Sequence, residues 1–161
     1  MHQIKIHTGE MARLKVDALV TPTIDQEKIY KGIAKHTLTT LKKLESLAEP
    51  IPGFAVRVSV GEPFHSREVL HISPPTQDDE EEFTRELVNV YEEMMTVAKD
   101  RNYRSLAIHP IRLEEGSNTD EVTIAVDQIR AGLRTNITLE SVIVCCGDVI
   151  TAARFRDRLG R

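Results

Sequence analysis

The sequence predicts a single α/β domain, spanning 1–161, with a largely parallel sheet that helices cover on both faces. The chain has 161 residues, the size of one ordinary domain. Short apolar segments alternate with helical patterns along it, and no repeat, linker or low-complexity tract interrupts them. Because parallel strands bring their carboxyl ends to one edge of a sheet, ligand-binding loops are expected at that edge.

The predicted strands are short runs of apolar residues bounded by glycine or proline. Gly9 opens a turn between the first two runs, and Gly61-Glu62-Pro63 joins two runs that are expected to pair as antiparallel neighbours. About six strands are expected in a mixed, mostly parallel sheet, and they are Gln3–His7, Val16–Thr21, Phe54–Val60, Glu68–Ser73, Ser105–Ile108 and Ser141–Cys146.

Four helices are predicted from apolar residues at helical spacing. The first covers 26–48, after a capping Asp25 and before the breakers Pro50 and Pro52. The acidic run Asp78–Glu82 precedes the second, where it complements the positive end of the helix dipole. The second helix is expected to bury Phe83, Leu87, Val90, Tyr91, Met94 and Ala98. The third begins at Thr119, and its apolar face consists of Val122, Val126, Ile129 and Leu133. The last helix is Val149–Leu159.

Composition argues against several classes of function. The net charge of −4 provides no basic field for a phosphate backbone, so nucleic acid is not an expected partner. The six histidines have no H-x-x-x-H spacing, and neither a metal site nor a resident cofactor is predicted. Cys145 and Cys146 are adjacent and should point to opposite faces of a strand as reduced, buried thiols. With no apolar run of about 20 residues and no signal peptide at Met1, a soluble intracellular protein, cytoplasmic or nuclear, is expected.

Several motifs, taken in order, resemble those of the macro domain family. Gly9-Glu10-Met11 followed by Val16–Val20 is similar to the family's opening, G-D-I/V and then V-D-A-I-V. Val58–Phe64 and Val69–Ile72 resemble its middle hairpin, and Ser105–Ile108 resembles its S-I-A-F strand. The resemblance covers nearly the whole chain. It implies a three-layer α/β/α, macro-domain-like fold with a cleft for ADP-ribose or a related nucleotide.

At the adenine end of that cleft, the resemblance implies that Glu10 replaces an aspartate that accepts a hydrogen bond from the adenine amino group. Glu10 keeps the acceptor and adds a methylene, and Met11 beside it belongs to the same group of ligand positions. The family's N-A-A-N aligns with Thr21-Pro22-Thr23-Ile24, so Thr21 and Ile24 take its first and last positions. Ile24 stands where an asparagine orients the distal ribose in hydrolytic members, and its side chain cannot form a hydrogen bond.

Both phosphate loops of the family pattern are altered. The first has one glycine, Gly32, where the family has several, together with Lys28 as a cation that could offset the missing backbone donors. The second aligns with 112–118, where Glu114 stands beside Glu115. At an effective dielectric near 20, like charges about 4 Å apart repel by roughly 4 kcal/mol. Binding contacts from this loop would then come from Arg112, Gly116 and Ser117.

Two interpretations follow. In the first, the chain is a degenerate macro-type module without catalytic residues that binds a protein partner or a ligand other than ordinary ADP-ribose. In the second, it is an active ADP-ribose binder or hydrolase in which Glu10, Lys28, Arg112 and Ser117 replace the usual contacts. His71 and His109, near strand ends, are the remaining acid or base candidates, although a strand histidine without a partner is more often structural.

The two acidic residues of the second phosphate loop give a salt-dependent prediction. If Glu114 and Glu115 face the diphosphate, ADP-ribose binding should be undetectable by calorimetry below millimolar ligand, and neutralising both residues together with glycine substitutions should recover part of it. Repulsion weakens as salt screens it, whereas attraction to Lys28 and Arg112 is lost at high salt. Micromolar binding by the parent chain would contradict this prediction.

Overall fold

A computed structural model describes residues 3–22, 49–51, 54–59, 64–72, 79–111 and 120–160. Strands precede the first described helix, and strands and helices alternate after it. The strands are β1 (Gln3–Thr8), β2 (Ala18–Pro22), β3 (Glu49–Ile51), β4 (Phe54–Ser59), β5 (Glu68–Ile72), β6 (Ser105–Ile108) and β7 (Ser141–Cys146), and the helices are α1 (Glu80–Asp100), α2 (Glu121–Thr135) and α3 (Val149–Leu159).

The strands form one seven-stranded mixed sheet in the order β1-β7-β6-β2-β5-β4-β3. The neighbouring pairs β1–β7, β7–β6, β6–β2 and β2–β5 are parallel, whereas β4 pairs antiparallel with both β5 and β3. The predicted α/β class, the mostly parallel sheet and the antiparallel hairpin are therefore confirmed. β1 and β2 are consecutive in sequence but are not neighbours, because β7 and β6 lie between them.

The structure adds one strand that the sequence analysis missed. Glu49–Ile51 pairs with β4 at the edge of the sheet, whereas the sequence pattern assigns Pro50 only the role of ending a helix. A proline fits an edge strand, where its missing N–H has no partner to lose. The helix predicted over 26–48, the ends of several predicted strands and the loop 112–118 lie outside the described residues.

Alternation along the strands divides the sheet into two apolar faces. In β2, Ala18 and Val20 belong to one buried cluster and Leu19 to another. The first cluster also contains the buried faces of α1, α2 and α3, including every apolar position predicted for α2. The second contains Met11, Ala12, Val16, Leu19, Phe64, Val69, Ala107 and Cys145. The three described helices therefore cover the same face of the sheet.

Each described helix begins with an aspartate that accepts a hydrogen bond from the first turn. The Asp79 carboxylate accepts from Glu81 N at 2.8 Å, Asp120 from Thr123 N at 3.1 Å, and Asp148 from Thr151 N at 2.7 Å. Of the acidic run predicted to complement a helix N-terminus, Glu80, Glu81 and Glu82 occupy the first turn of α1 and Asp79 caps it, whereas Asp78 lies outside the described residues. The Asp148 cap starts α3 directly after the carboxyl end of β7.

A glycine allows α1 and α2 to approach closely. A Cβ added to Gly132 would lie 2.6 Å from the Met95 Cγ, well inside van der Waals contact. Any larger residue at this position would push the two helices apart or displace the methionine.

Truncation of the core should destabilise the protein in proportion to the apolar volume removed. Leu87 and Val126 are both fully buried in the first cluster. Leu87→Ala should lower the free energy of unfolding by about 2–5 kcal/mol, and Val126→Ala by somewhat less, measured by urea denaturation. Ile137→Ala is the matched control, because Ile137 is 88% exposed. Equal losses in all three variants would contradict this assignment of the core.

Candidate functional site

The carboxyl ends of five parallel strands meet at one edge of the sheet, where ligands bind in open α/β folds. Register places the ends of β1 and β7 at the same level, because Thr8 pairs with Cys146. The ends of β2 and β5 are likewise level, through Pro22 and Ile72, and Ile108 pairs with Val144 in β7. This edge, which we call the C-terminal edge, is the candidate functional site.

At the β1 end of this edge, the chain makes a turn that requires glycine. Gly9 has φ +122°, a conformation that residues with a Cβ rarely adopt. The His7 Nε2 lies 3.1 Å from the Glu10 carbonyl oxygen across this turn. The Glu10 side chain is 50% exposed, and its carboxylate lies 3.8 Å from the Arg13 Nε. A ligand at this edge could therefore reach the Glu10 carboxylate.

Met11 follows directly but points its side chain into the protein. It is 2% exposed and belongs to the second apolar cluster, with Leu19 and Phe64. The buried side chain anchors the turn that presents Glu10.

Thr21 and His71 form a buried polar pair between β2 and β5. The Thr21 Oγ1 lies 3.2 Å from the His71 Nδ1, the two residues are register partners, and neither is exposed. Burial lowers the pKa of His71 to about 4, because the charged imidazolium would lose its hydration. His71 is therefore a neutral imidazole at neutral pH.

His109 follows β6 at the same edge and is half-buried. Its backbone N–H donates to the Val20 carbonyl at 2.9 Å, which extends the pairing of β6 with β2. Its Nδ1 lies 3.0 Å from the Pro110 carbonyl oxygen, and a carbonyl can only accept, so this nitrogen carries the proton. This contact orients the ring of His109 towards its own loop.

Cys145 and Cys146 are free and buried on opposite faces of β7, as predicted. Burial raises the pKa of Cys145 to about 12 and that of Cys146 to about 11. Since the thiolate is the nucleophile and the metal ligand, neither thiol is activated for either role.

Three of the predicted ligand positions, Glu10, Met11 and Thr21, are thus placed at or beside the C-terminal edge. The other predicted positions lie outside the described residues, and they are Ile24, Lys28, Gly32, Arg112, Glu114, Gly116 and Ser117. The sequence analysis did not identify His7. The signal available for it was a polar ring near the end of β1, three residues before Glu10.

The opposite edge of the sheet carries an ionic network that the sequence analysis also missed. The Glu68 carboxylate accepts from the Arg101 Nε at 3.0 Å and from the Tyr103 hydroxyl at 2.5 Å. Burial, and then the bond to Glu68, raises the pKa of Tyr103. Because the network lies where β5 starts and α1 ends, it connects the helix to the sheet on the side away from the candidate site.

Within the described ranges, no cluster of three or more His, Cys, Asp or Glu side chains is arranged to hold a metal ion. None of the helices described is long and apolar enough to cross a membrane.

The buried His71 predicts a specific dependence of stability on pH. Its folded pKa of about 4 lies below the ordinary value of 6.5, so the unfolded chain binds more protons between these pH values. Stability should therefore fall as pH decreases from 6.5 to 4, by up to about 3 kcal/mol from this residue. His71→Gln should lower stability at pH 7 and flatten that part of the pH profile. An unchanged profile in denaturant titrations would contradict this, and His65→Gln, at an exposed residue, is the control.

No protein-family model matches the sequence, and no curated protein sequence matches it significantly. Solved structures do match over nearly the whole chain. The Oceanobacillus iheyensis macrodomain with ADP is 16% identical, with a TM-score of 0.75 over 99% of this chain and 90% of that one. A glycine-to-valine mutant of that macrodomain with ADPR is 15% identical, with a TM-score of 0.75 over 99% and 92%. The Trypanosoma brucei macrodomain in complex with ADP is 17% identical, with a TM-score of 0.75 over 98% and 69%. The chain therefore has a macro domain fold.

Proposed function

We propose that this chain is a non-catalytic binding module of the macro type, in which recognition of ADP-ribose is weakened or lost. Its ligand is ADP-ribose, a related nucleotide or a protein partner at the C-terminal edge. The shared fold supports this proposal, because solved structures of that fold hold ADP and ADPR. Fold alone does not assign an activity, which depends instead on the side chains at that edge.

The absence of catalysis is inferred from the protonation of three buried groups at this edge, His71, Cys145 and Cys146. An efficient general base has a pKa near the operating pH, whereas His71 has a pKa of about 4 and no exposed surface. The thiols of Cys145 and Cys146 are protonated at neutral pH, because burial raises their pKa values. These three buried side chains therefore supply neither a base nor a nucleophile, and His109 is the predicted acid or base candidate that remains among the described residues of this edge.

The ligand-binding part rests on the turn at Gly9. This turn keeps a backbone conformation that only glycine adopts readily, and it presents an exposed carboxylate at Glu10. A carboxylate accepts a hydrogen bond from an exocyclic amino group, which is the chemistry expected at the base end of a nucleotide. The sequence differs from the family pattern at the ribose and phosphate positions, through Ile24 and Glu114, and this supports weakened binding.

The alternative is an active ADP-ribose binder or ADP-ribosyl hydrolase in which Glu10, Lys28, Arg112 and Ser117 replace the usual contacts. The exposure of Glu10 favours retention of the base contact under either proposal. The two differ in whether the remaining positions bind a diphosphate and orient a water molecule. A direct assay of binding and hydrolysis separates them.

The hydrolysis assay has a definite expected outcome. Incubation with a mono-ADP-ribosylated protein should release no more ADP-ribose than a heat-inactivated sample, because Ile24 cannot orient a water molecule. Release well above that control would favour the active hydrolase. It would make His109 the first residue to substitute.

The binding assay tests the role of Glu10. Chemical-shift titration with ADP-ribose should give at best millimolar affinity, and Glu10→Ala should weaken it by roughly threefold to tenfold through loss of one hydrogen bond. Asp100→Ala removes the same charge at an exposed residue at the far end of α1 and is the control. Equal effects of both variants would show that overall charge, rather than a contact to Glu10, governs binding.

A further inference from the structure

His7 lies near the end of β1, where its ring extends over the following turn. A Cβ built on Gly9 would lie 3.7 Å from the His7 Nε2, and the same nitrogen lies 3.1 Å from the Glu10 carbonyl oxygen. Alternation along β1 also places His7 on the face opposite Ile4 and Ile6, which pack against the first apolar cluster. Two independent distances therefore place the imidazole across the Gly9 turn.

The chemistry of this contact fixes the proton on the ring. The Glu10 carbonyl can only accept a hydrogen bond, so the His7 Nε2 must donate, either in the Nε2–H tautomer or as the imidazolium. The peptide group between Glu10 and Met11 is planar and trans. Fixing the carbonyl towards His7 therefore also fixes the Met11 N–H in the opposite direction.

We infer that His7 is a positioning residue, which holds the Gly9 turn so that Glu10 presents its carboxylate at the C-terminal edge. This inference rests on the proposed function, in which Glu10 contacts the base of a nucleotide. The turn needs such a tie because glycine has more conformational freedom than other residues, and fixing it has an entropic cost. His7 acts through Glu10 and does not itself touch the ligand.

The experiment compares three substitutions on the same strand. His7→Phe keeps a ring but removes the donor, His7→Gln restores a side-chain N–H donor, and Lys5→Gln is the control at an exposed residue on the same side of β1. ADP-ribose affinity, measured by chemical-shift titration, should fall about threefold to tenfold in His7→Phe. It should stay within about twofold of the parent in His7→Gln and Lys5→Gln. Equal affinities in His7→Phe and the parent, or equal losses in His7→Phe and His7→Gln, would overturn the inference.

Nitrogen NMR of the histidine rings gives a readout that needs no ligand. The parent should show the proton of His7 on Nε2, in exchange slow enough for detection, with a nuclear Overhauser contact to Gly9. A proton on Nδ1 alone, or no such contact, would overturn the inference. If the parent binds no ADP-ribose, its recognition is lost rather than weakened, and the NMR result alone decides whether His7 holds the turn.

Discussion

The hydrogen bonds of Asp17 set the level at which three central strands begin, and the C-terminal edge depends on that level. The Asp17 carbonyl accepts from Arg67 N and Glu68 N, its own N–H donates to Ser105, and its carboxylate accepts from Arg104 N at 2.6 Å. One residue before β2 thus ties β2 to the starts of β5 and β6. Because strand register fixes the position of every later residue, this tie also brings Thr21 beside His71.

The buried polar groups at the two edges of the sheet differ in charge. At the starting edge, the buried Glu68 carboxylate accepts hydrogen bonds from the cationic Arg101 side chain and from the Tyr103 hydroxyl. At the C-terminal edge, the buried groups of Thr21 and His71 are neutral, so burial there needs no counter-ion. Charge at the C-terminal edge is therefore carried by exposed residues such as Glu10. In the function that we propose, recognition of a ligand at this edge would therefore depend on loop side chains rather than on the buried sheet.

The sequence was sufficient to predict most of the sheet because its strands are apolar, short and bounded by clear turn residues. The predicted limits of β7 and α3 coincide with those observed, and the antiparallel pairing of β4 with β5 followed from their alternation and the turn between them. β3 was missed because three residues with a central proline carry no strand pattern. The contact of His7 at the candidate site, and the Glu68 network at the opposite edge, could not be predicted, because their partners depend on turn geometry and strand order rather than on local periodicity.

The low identity to solved macrodomain structures is consistent with a sheet that tolerates sequence change and loops that determine the contacts. A TM-score of 0.75 at 16% identity requires only that apolar residues of suitable volume occupy the alternating positions, a condition that many sequences satisfy. A ligand contact is more demanding, because it needs a particular donor or acceptor at a particular atom. The Gly9 turn shows both conditions within a few residues. The φ of Gly9 favours glycine, whereas the half-exposed Glu10 side chain is not packed in the core and can vary more freely. A chain of this fold can therefore alter or lose its ligand contacts while its core remains intact.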